Sequence, residues 1–173
     1  FTKTTTFNYD TVGKVTKQTN ANGTITTYLY DSIYKVTSLT NKKSDSTVIS
    51  GFNYLYDGNR NQTKATLDNG DYITYVYDNT QQLTSEIKKN SGNTTLYSYN
   101  YNYDGVGNRT KMVTDVSTTT YAYDGGSRLT KQIGPSSTTI YAYDDNGSQT
   151  SKIEGNNTTS YAYNGLNKLT KVI

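Results

Sequence analysis

The sequence predicts an all-β fold in which tandem two-strand hairpins join into a long curled sheet. Three observations lead to it. Tyr occurs 19 times in a chain that is only 32% hydrophobic and has no Trp. A motif of an aromatic, any residue, Tyr and then Asp or Asn recurs eight times. Each recurrence is followed by turn-forming Gly, Asn or Ser and then by a second stretch of strand-forming residues.

The composition bounds what the chain can be. A mean hydropathy of -0.80 approaches that of disordered chains, but those have few aromatics and high net charge, whereas here the formal charge is +3. Burial must come from tyrosine, whose ring covers a large area while its hydroxyl stays hydrogen-bonded or wet. One Pro, abundant Thr and little Ala or Glu disfavour helix and favour strand. No run approaches the roughly 18 to 20 apolar residues of a bilayer-spanning helix, so no membrane insertion is expected. Seventeen basic against 14 acidic residues, spread along the chain, are too balanced to imply nucleic acid. Phe1 at the front and Met112 as the one methionine imply a processed product or an excised segment.

The first half of each copy ends in Tyr and Asp or Asn: Tyr9-Asp10, Tyr30-Asp31, Tyr56-Asp57, Tyr77-Asp78, Tyr103-Asp104, Tyr123-Asp124, Tyr143-Asp144 and Tyr163-Asn164. The preceding aromatic lies two residues earlier, which puts both rings on one face of a strand. Asp at the strand end can bond the backbone amides just ahead, and Gly there tolerates positive φ. A threonine follows six residues later in every copy, at Thr16, Thr37, Thr63, Thr84, Thr110, Thr130, Thr150 and Thr170. Ile87, Val113, Ile133, Ile153 and Ile173 then continue a second strand. Ala21-Asn22-Gly23, Asp68-Asn69-Gly70, Ser91-Gly92-Asn93, Gly134-Pro135-Ser136 and Gly155-Asn156-Asn157 mark the return turns.

The steps between successive Asp positions are 21, 26, 21, 26, 20, 20 and 20 residues. The inserts in the two longest, around Asn41–Asp45 and Lys88–Gly92, are expected to form longer hairpin loops. Residues 1–173 thus read as a single array of eight repeats without separate domains. About sixteen strands at ~4.8 Å would span roughly 75 Å, and open sheets beyond about ten strands curl, split or pack on something. Tyrosine stripes would line one face and stack between neighbouring copies. A copy placed directly after Ile173 would nearly continue the 20-residue step, so the chain is expected either to belong to a longer array or to pair head to tail with itself through unmatched edges. No proline or bulge signal guards the last strand, while Lys3, Lys168 and Lys171 would slow uncontrolled pairing.

The pattern Tyr-x-Tyr-Asp-x-x-Gly-x-x-Thr-Lys, at Tyr101 to Lys111 and nearly so at Phe7 to Lys17, resembles the YD repeat of the Rhs family. That family includes wall-associated bacterial proteins, shell subunits of insecticidal toxin complexes and the teneurin repeats. The resemblance implies a β-sheet spiralling into a hollow shell, with activity in appended domains. Of the family's usual Gly-Arg-Leu after the Asp, Ser127-Arg128-Leu129 and Asn167-Lys168-Leu169 remain. The self-cleaving core and toxin domain of shell-forming members are absent from this sequence.

Chemistry finds little purchase. The absence of His and Cys removes the commonest general base, thiol nucleophiles and most transition-metal ligand sets. A glycosidase pair needs two singular carboxylates, whereas an Asp repeated at every turn is explained by turn formation. Asp144-Asp145-Asn146-Gly147 is the best calcium candidate, but lacks the spacing and closing Glu of a calcium loop. Asn-x-Thr/Ser triplets at Asn22, Asn61, Asn93, Asn108, Asn146, Asn156 and Asn157 fit the composition. No catalytic, cofactor-binding or metal residue is therefore assigned and no cofactor is expected. The reading is a non-enzymatic structural β-repeat scaffold of an extracellular or cell-surface protein. The alternatives are a self-assembling filament subunit and a glycan-binding module in which exposed tyrosines stack on sugar rings.

Overall fold

A computed structural model describes residues 4–173. Phe1 and Lys3, which the sequence places in or beside the first strand, lie outside the described residues. The chain divides into two compact units, Phe1–Tyr97 and Ser98–Ile173. All regular structure among the described residues is strand.

The first unit contains β1 (Thr6–Tyr9), β2 (Val15–Thr19), β3 (Ile25–Tyr30), β4 (Val36–Lys42), β5 (Val48–Tyr56), β6 (Gln62–Leu67), β7 (Tyr72–Tyr77), β8 (Leu83–Lys89) and the start of β9 (Thr95–Tyr103). The second holds the rest of β9, β10 (Arg109–Thr114), β11 (Thr118–Tyr123), β12 (Leu129–Ile133), β13 (Thr138–Tyr143), β14 (Gln149–Glu154), β15 (Asn157–Tyr163) and β16 (Leu169–Val172). Within each unit the strands form an antiparallel meander in which chain neighbours are sheet neighbours. Two strands per copy is therefore the observed plan.

Such a meander buries almost nothing completely. Ala65, at 6% exposure, is the one buried apolar side chain among the described residues. It sits on β6 opposite Tyr54 on one side and Ile73 on the other. The tyrosines of the repeated pairs from copy 2 onward are half-buried, and the residue between each pair, Leu29, Leu55, Val76, Asn102, Ala122, Ala142 or Ala162, is exposed. This is the period-2 alternation of strands with one face covered by its own aromatic layer and the other wet.

The inserts do not form longer loops. The turn at Lys43–Thr47 repeats the bonding of the turn at Asn20–Thr24: the first amide bonds the fifth carbonyl, and the fourth amide bonds the first carbonyl. The extra residues lengthen the strands instead, β4 by two over β2 and β5 by three over β3. β8 and β9 repeat this, at seven and nine residues. Added ladder pairs satisfy backbone amides and carbonyls that a longer loop would leave to water, and Asn41, Lys88 and Lys89 are compatible with strand.

The second departure from expectation concerns the rings. Close ring pairs run along a strand, as in Phe52–Tyr54 (centroids 6.3 Å apart, planes at 3°) and Tyr99–Tyr101 (6.3 Å, 12°). Tyrosine strands of neighbouring copies are separated by one intervening strand, so they lie roughly 10 Å apart, beyond stacking reach. That strand inserts its own side chain opposite the first tyrosine of each pair: Leu39 faces Tyr28, Met112 faces Tyr101, Gln132 faces Tyr121 and Lys152 faces Tyr141.

Candidate functional site

The recurring site is the junction of each tyrosine strand, its Asp turn and the returning strand. It begins at the turn, which has the same form in all eight copies. In the first, the Asp10 amide donates to the Lys14 carbonyl (2.9 Å) and the Gly13 amide to the Asp10 carbonyl (3.2 Å). This is a three-residue hairpin loop whose last residue adopts positive φ. Such a loop leaves two amides without ladder partners, and a side-chain oxygen at the first position accepts both. Asp10 Oδ1 takes Val12 and Lys14, Asp31 takes Ile33 and Lys35, Asp57 takes Asn59 and Asn61, and Asp78 takes Thr80 and Gln82. Asp104 takes Val106 and Asn108, Asp124 takes Gly126 and Arg128, Asp144 takes Asn146 and Ser148, and Asn164 takes Leu166 and Lys168. Asp144, the first residue of the calcium candidate, has its Oδ1 committed to this cap. Among the described residues no group of three or more His, Cys, Asp or Glu is placed to hold a metal.

Hydrogen bonds to the ionised form pull several of these carboxyls below their ordinary value. The Gln82 amide does so first for Asp78, the Asn108 side-chain amide for Asp104, and the Arg128 amide followed by its guanidinium for Asp124. At Asp57 desolvation pushes upward, and the donors of Asn61 and Asn59 together outweigh it.

The threonine six residues on occupies a β-bulge in every copy. Asn8 pairs with Lys17 and Tyr9 with Val15, so Thr16 is the extra residue. The same skip falls at Thr37, Thr63, Thr84, Thr110, Thr130, Thr150 and Thr170. The bulge leaves a residue out of the ladder, and a short hydroxyl can take up a carbonyl there. Thr16, Thr84, Thr130 and Thr170 donate to the carbonyls of Asn8, Val76, Ala122 and Ala162. β16 thus carries a bulge at Thr170, contrary to the expectation that its edge has none. The signal was the threonine's fixed distance from Asp, which spans the loop and the first ladder pair.

The second tyrosine of each pair ties its copy to the one before. Tyr30 donates to the Val15 carbonyl (2.7 Å), Tyr56 to Val36 (2.7 Å) and Tyr77 to Gln62 (3.0 Å) in the first unit. In the second, Tyr123 donates to Arg109 (2.9 Å), Tyr143 to Leu129 (2.8 Å) and Tyr163 to Gln149 (3.0 Å). Each acceptor is the residue at which the preceding returning strand starts, where the bulge frees a carbonyl. Tyr9 has no preceding strand among the described residues and is 59% exposed. Desolvation, then neighbouring Tyr54 and Asp31, raise the Tyr56 pKa, and desolvation likewise raises Tyr77, Tyr123 and Tyr143. Tyr103 closes β9 ahead of Asp104.

Two arginines make contacts that the sequence did not show, although Arg128 is part of a family motif there. Arg128 pairs with Asp124 (2.7 Å), donates to the Asp144 carbonyl of the next copy (3.2 Å) and lies over the Tyr143 ring (5.1 Å). Arg109 lies between the Tyr101 and Tyr121 rings, 5.6 and 4.8 Å from their centroids. Cations and hydroxyls thus reach across from copy to copy where rings cannot.

A family model, RHS Repeat, matches residues 9–46, which include the first two Asp turns, both bulges and the Tyr30 clamp. Residues 9–46 thus carry the RHS repeat. Solved structures share its fold. A crystal structure titled TcdB2-TccC3-Cdc42 matches with a TM-score of 0.86 and 22% identity over 94% of this chain and 10% of that one. A Photorhabdus luminescens Tc holotoxin pore structure matches with a TM-score of 0.85 and 21% identity, covering 96% of this chain and 10% of that one. The chain spans about a tenth of the length of the solved chains it matches. No curated protein matches it.

Proposed function

We propose that this YD-repeat chain is a non-enzymatic segment of the shell of an extracellular or cell-surface protein, in which residues 1–173 form one array of eight copies without separate domains. One observation carries the proposal: the Asp, the Thr and the second Tyr of the repeat each have a structural task. The Asp closes a turn, the Thr fills a bulge and the second Tyr clamps the preceding copy, so none of these three is left over for chemistry. The family and fold comparisons support a structural β-repeat scaffold. Its partners are then further repeats of the same longer chain. Electron microscopy of the repeat chain alone and within its longer polypeptide is the test. Closed hollow particles from the longer form support the shell, and extended or unassembled material contradicts it.

Head-to-tail pairing of separate copies is a second reading, favoured by the clamp. The carbonyl of Leu169 stands where the second tyrosine of a following copy would donate, and Tyr9 stands where that donor would be. Sedimentation of the wild type beside a variant with Thr5→Pro and Thr170→Pro tests it, since proline removes ladder donors. A strictly monomeric wild type, or equal assembly of the variant, excludes filament formation. A glycan would meet the first tyrosines, such as Tyr28 and Tyr141, whose hydroxyls are not committed to a carbonyl among the described residues.

A further inference from the structure

We propose that Asn164 is a deamidation site built into the eighth turn, at which the cap amides promote conversion of the amide to a carboxylate. The chemistry is general to Asn-Gly. The Gly amide nitrogen, giving its proton to solvent base, bonds to the Asn Cγ, and the electron pair moves onto Oδ1. Collapse of this intermediate, with solvent returning a proton to Nδ2, breaks the Cγ–Nδ2 bond, expels ammonia and leaves a cyclic imide. Water then opens the imide at either carbonyl, giving aspartate or isoaspartate. No oxidant or further reactant is needed.

The chain has four Asn-Gly pairs, at Asn22, Asn69, Asn146 and Asn164, and their geometry separates them. In the first three the glycine is the positive-φ residue of its loop and its amide is already a donor: Gly23 to Asn20 (2.8 Å), Gly70 to Leu67 (3.0 Å) and Gly147 to Asp144 (2.9 Å). Attack requires breaking the bond that closes the turn. Gly165 stands one residue after the cap rather than at the loop's last position, and its amide has no acceptor among the described residues. The nucleophile is free.

The electrophile is prepared as well. Asn164 Oδ1 accepts from the Leu166 amide (3.0 Å) and the Lys168 amide (3.0 Å). Those two donors face the oxygen on which negative charge develops as Gly165 adds, the arrangement of an oxyanion hole. In the seven sister copies the same amides hold an aspartate. Asp57-Gly58, Asp104-Gly105 and Asp124-Gly125 share the following glycine, but a carboxylate is a poor electrophile. The donors that hold those three carboxyls below their ordinary value keep them ionised. Asn164 alone combines the neutral amide, the two donors and the free glycine amide. Its conversion to aspartate gives the eighth turn the cap of the other seven, whereas isoaspartate adds a backbone methylene that moves the carboxylate out of the cap.

Incubation of the folded chain in mildly alkaline buffer, followed by peptide mass spectrometry, tests this. Asn164 should gain the mass of amide-to-acid exchange ahead of Asn22, Asn69 and Asn146 by about tenfold or more, a conservative fraction of what such donors provide. Gly165→Thr copies the first turn, where Thr11 follows Asp10, and a Cβ at Gly165 meets nothing within 4 Å. This variant should keep the turn and lose the modification. The same incubation in denaturant should bring all four sites to similar rates. An unmodified Asn164, equal rates in the folded chain, an equally reactive Gly165→Thr variant, or a lead that persists in denaturant each overturns the proposal.

Discussion

The two units use one Asp turn but different return turns, and this difference accounts for the two shorter repeat lengths. In the first unit the return turns at Asn20–Thr24, Lys43–Thr47, Leu67–Asp71 and Asn90–Thr94 are three-residue loops with positive φ at Gly23, Ser46, Gly70 and Asn93. In the second the returns close over two residues, with Thr114 bonded to Ser117 and Gly134 to Ser137. Losing one loop residue shortens the step from 21 to 20 without shifting which face each tyrosine occupies. Loop class sets register. The first unit also holds five non-glycine residues at positive φ, namely Tyr34, Ser46, Arg60, Gln81 and Asn93, against Ser127 and Asn167 in the second. It carries more turn strain, while the ring pairs of the two units, Phe52–Tyr54 and Tyr99–Tyr101, have the same 6.3 Å separation.

The largest effect should follow removal of a clamping ring. Tyr123→Ala in the second unit is expected to cost about 2 to 3 kcal/mol, below the range of fully buried aromatics because the ring is half wet. Tyr56→Ala in the first unit should cost at least as much, and Asn146→Ala much less. Denaturant midpoints check this, and equal midpoints for Tyr123→Ala and Asn146→Ala would contradict the clamp.

Alkaline pH should separate the units next. Burial raises the pKa of Tyr30, Tyr54, Tyr56, Tyr75 and Tyr77 in the first unit and of Tyr123 and Tyr143 in the second. A raised folded value means that stability is full below the unfolded tyrosine pKa of about 10 and falls as pH rises through the folded value. Hydrogen exchange resolved by peptide should show the first unit opening earlier. Acid acts oppositely: the lowered values of Asp57, Asp78, Asp104 and Asp124 mean that stability present above the unfolded carboxylate pKa is lost as pH falls from there through the lower folded value. The eighth turn, capped by the amide of Asn164, should not share that loss.

Removing only the hydroxyl is a finer test. Tyr56→Phe and Tyr123→Phe should each lose about 1 kcal/mol for one hydrogen bond, and Tyr9→Phe should lose nothing measurable. A loss at Tyr9 equal to the others would show that the hydroxyl acts through something other than the inter-copy carbonyl.

The smallest effects concern turn strain. Gln81→Gly and Arg60→Gly should stabilise the first unit by about 0.5 to 1 kcal/mol, because a side chain in the left-handed region costs more than the extra freedom of glycine. Gly147→Ala in the second unit should destabilise by a similar amount. Thermal melts of the three variants give the signs, and a destabilising Gln81→Gly would show that its side chain makes a compensating contact.

Strand content, the tyrosine face and the Asp turns were legible in the residues because each depends on local chemistry. Tyrosines two apart share a face in any strand, and Asp at a strand end caps the amides ahead of it. The threonine was visible as a fixed position but not as a bulge, since a bulge is a relation between two strands. The inserts were misread for the same reason. Asn41–Asp45 reads as loop throughout, and only the pairing of Asn41 with Ser50 and of Lys42 with Val48 shows the ladder continuing up to a turn that begins at Lys43.

Residue order alone thus settled the period, the number of copies, the all-strand character and the cap, through propensities and spacings acting within about ten residues. Tertiary structure decided what joins one copy to the next. The tyrosine hydroxyl reaches a carbonyl fourteen to twenty residues earlier, and Arg128 reaches forward sixteen to Asp144. These contacts depend on strand separation and on the carbonyl that the bulge releases, and both exist only once the neighbouring strand is in register.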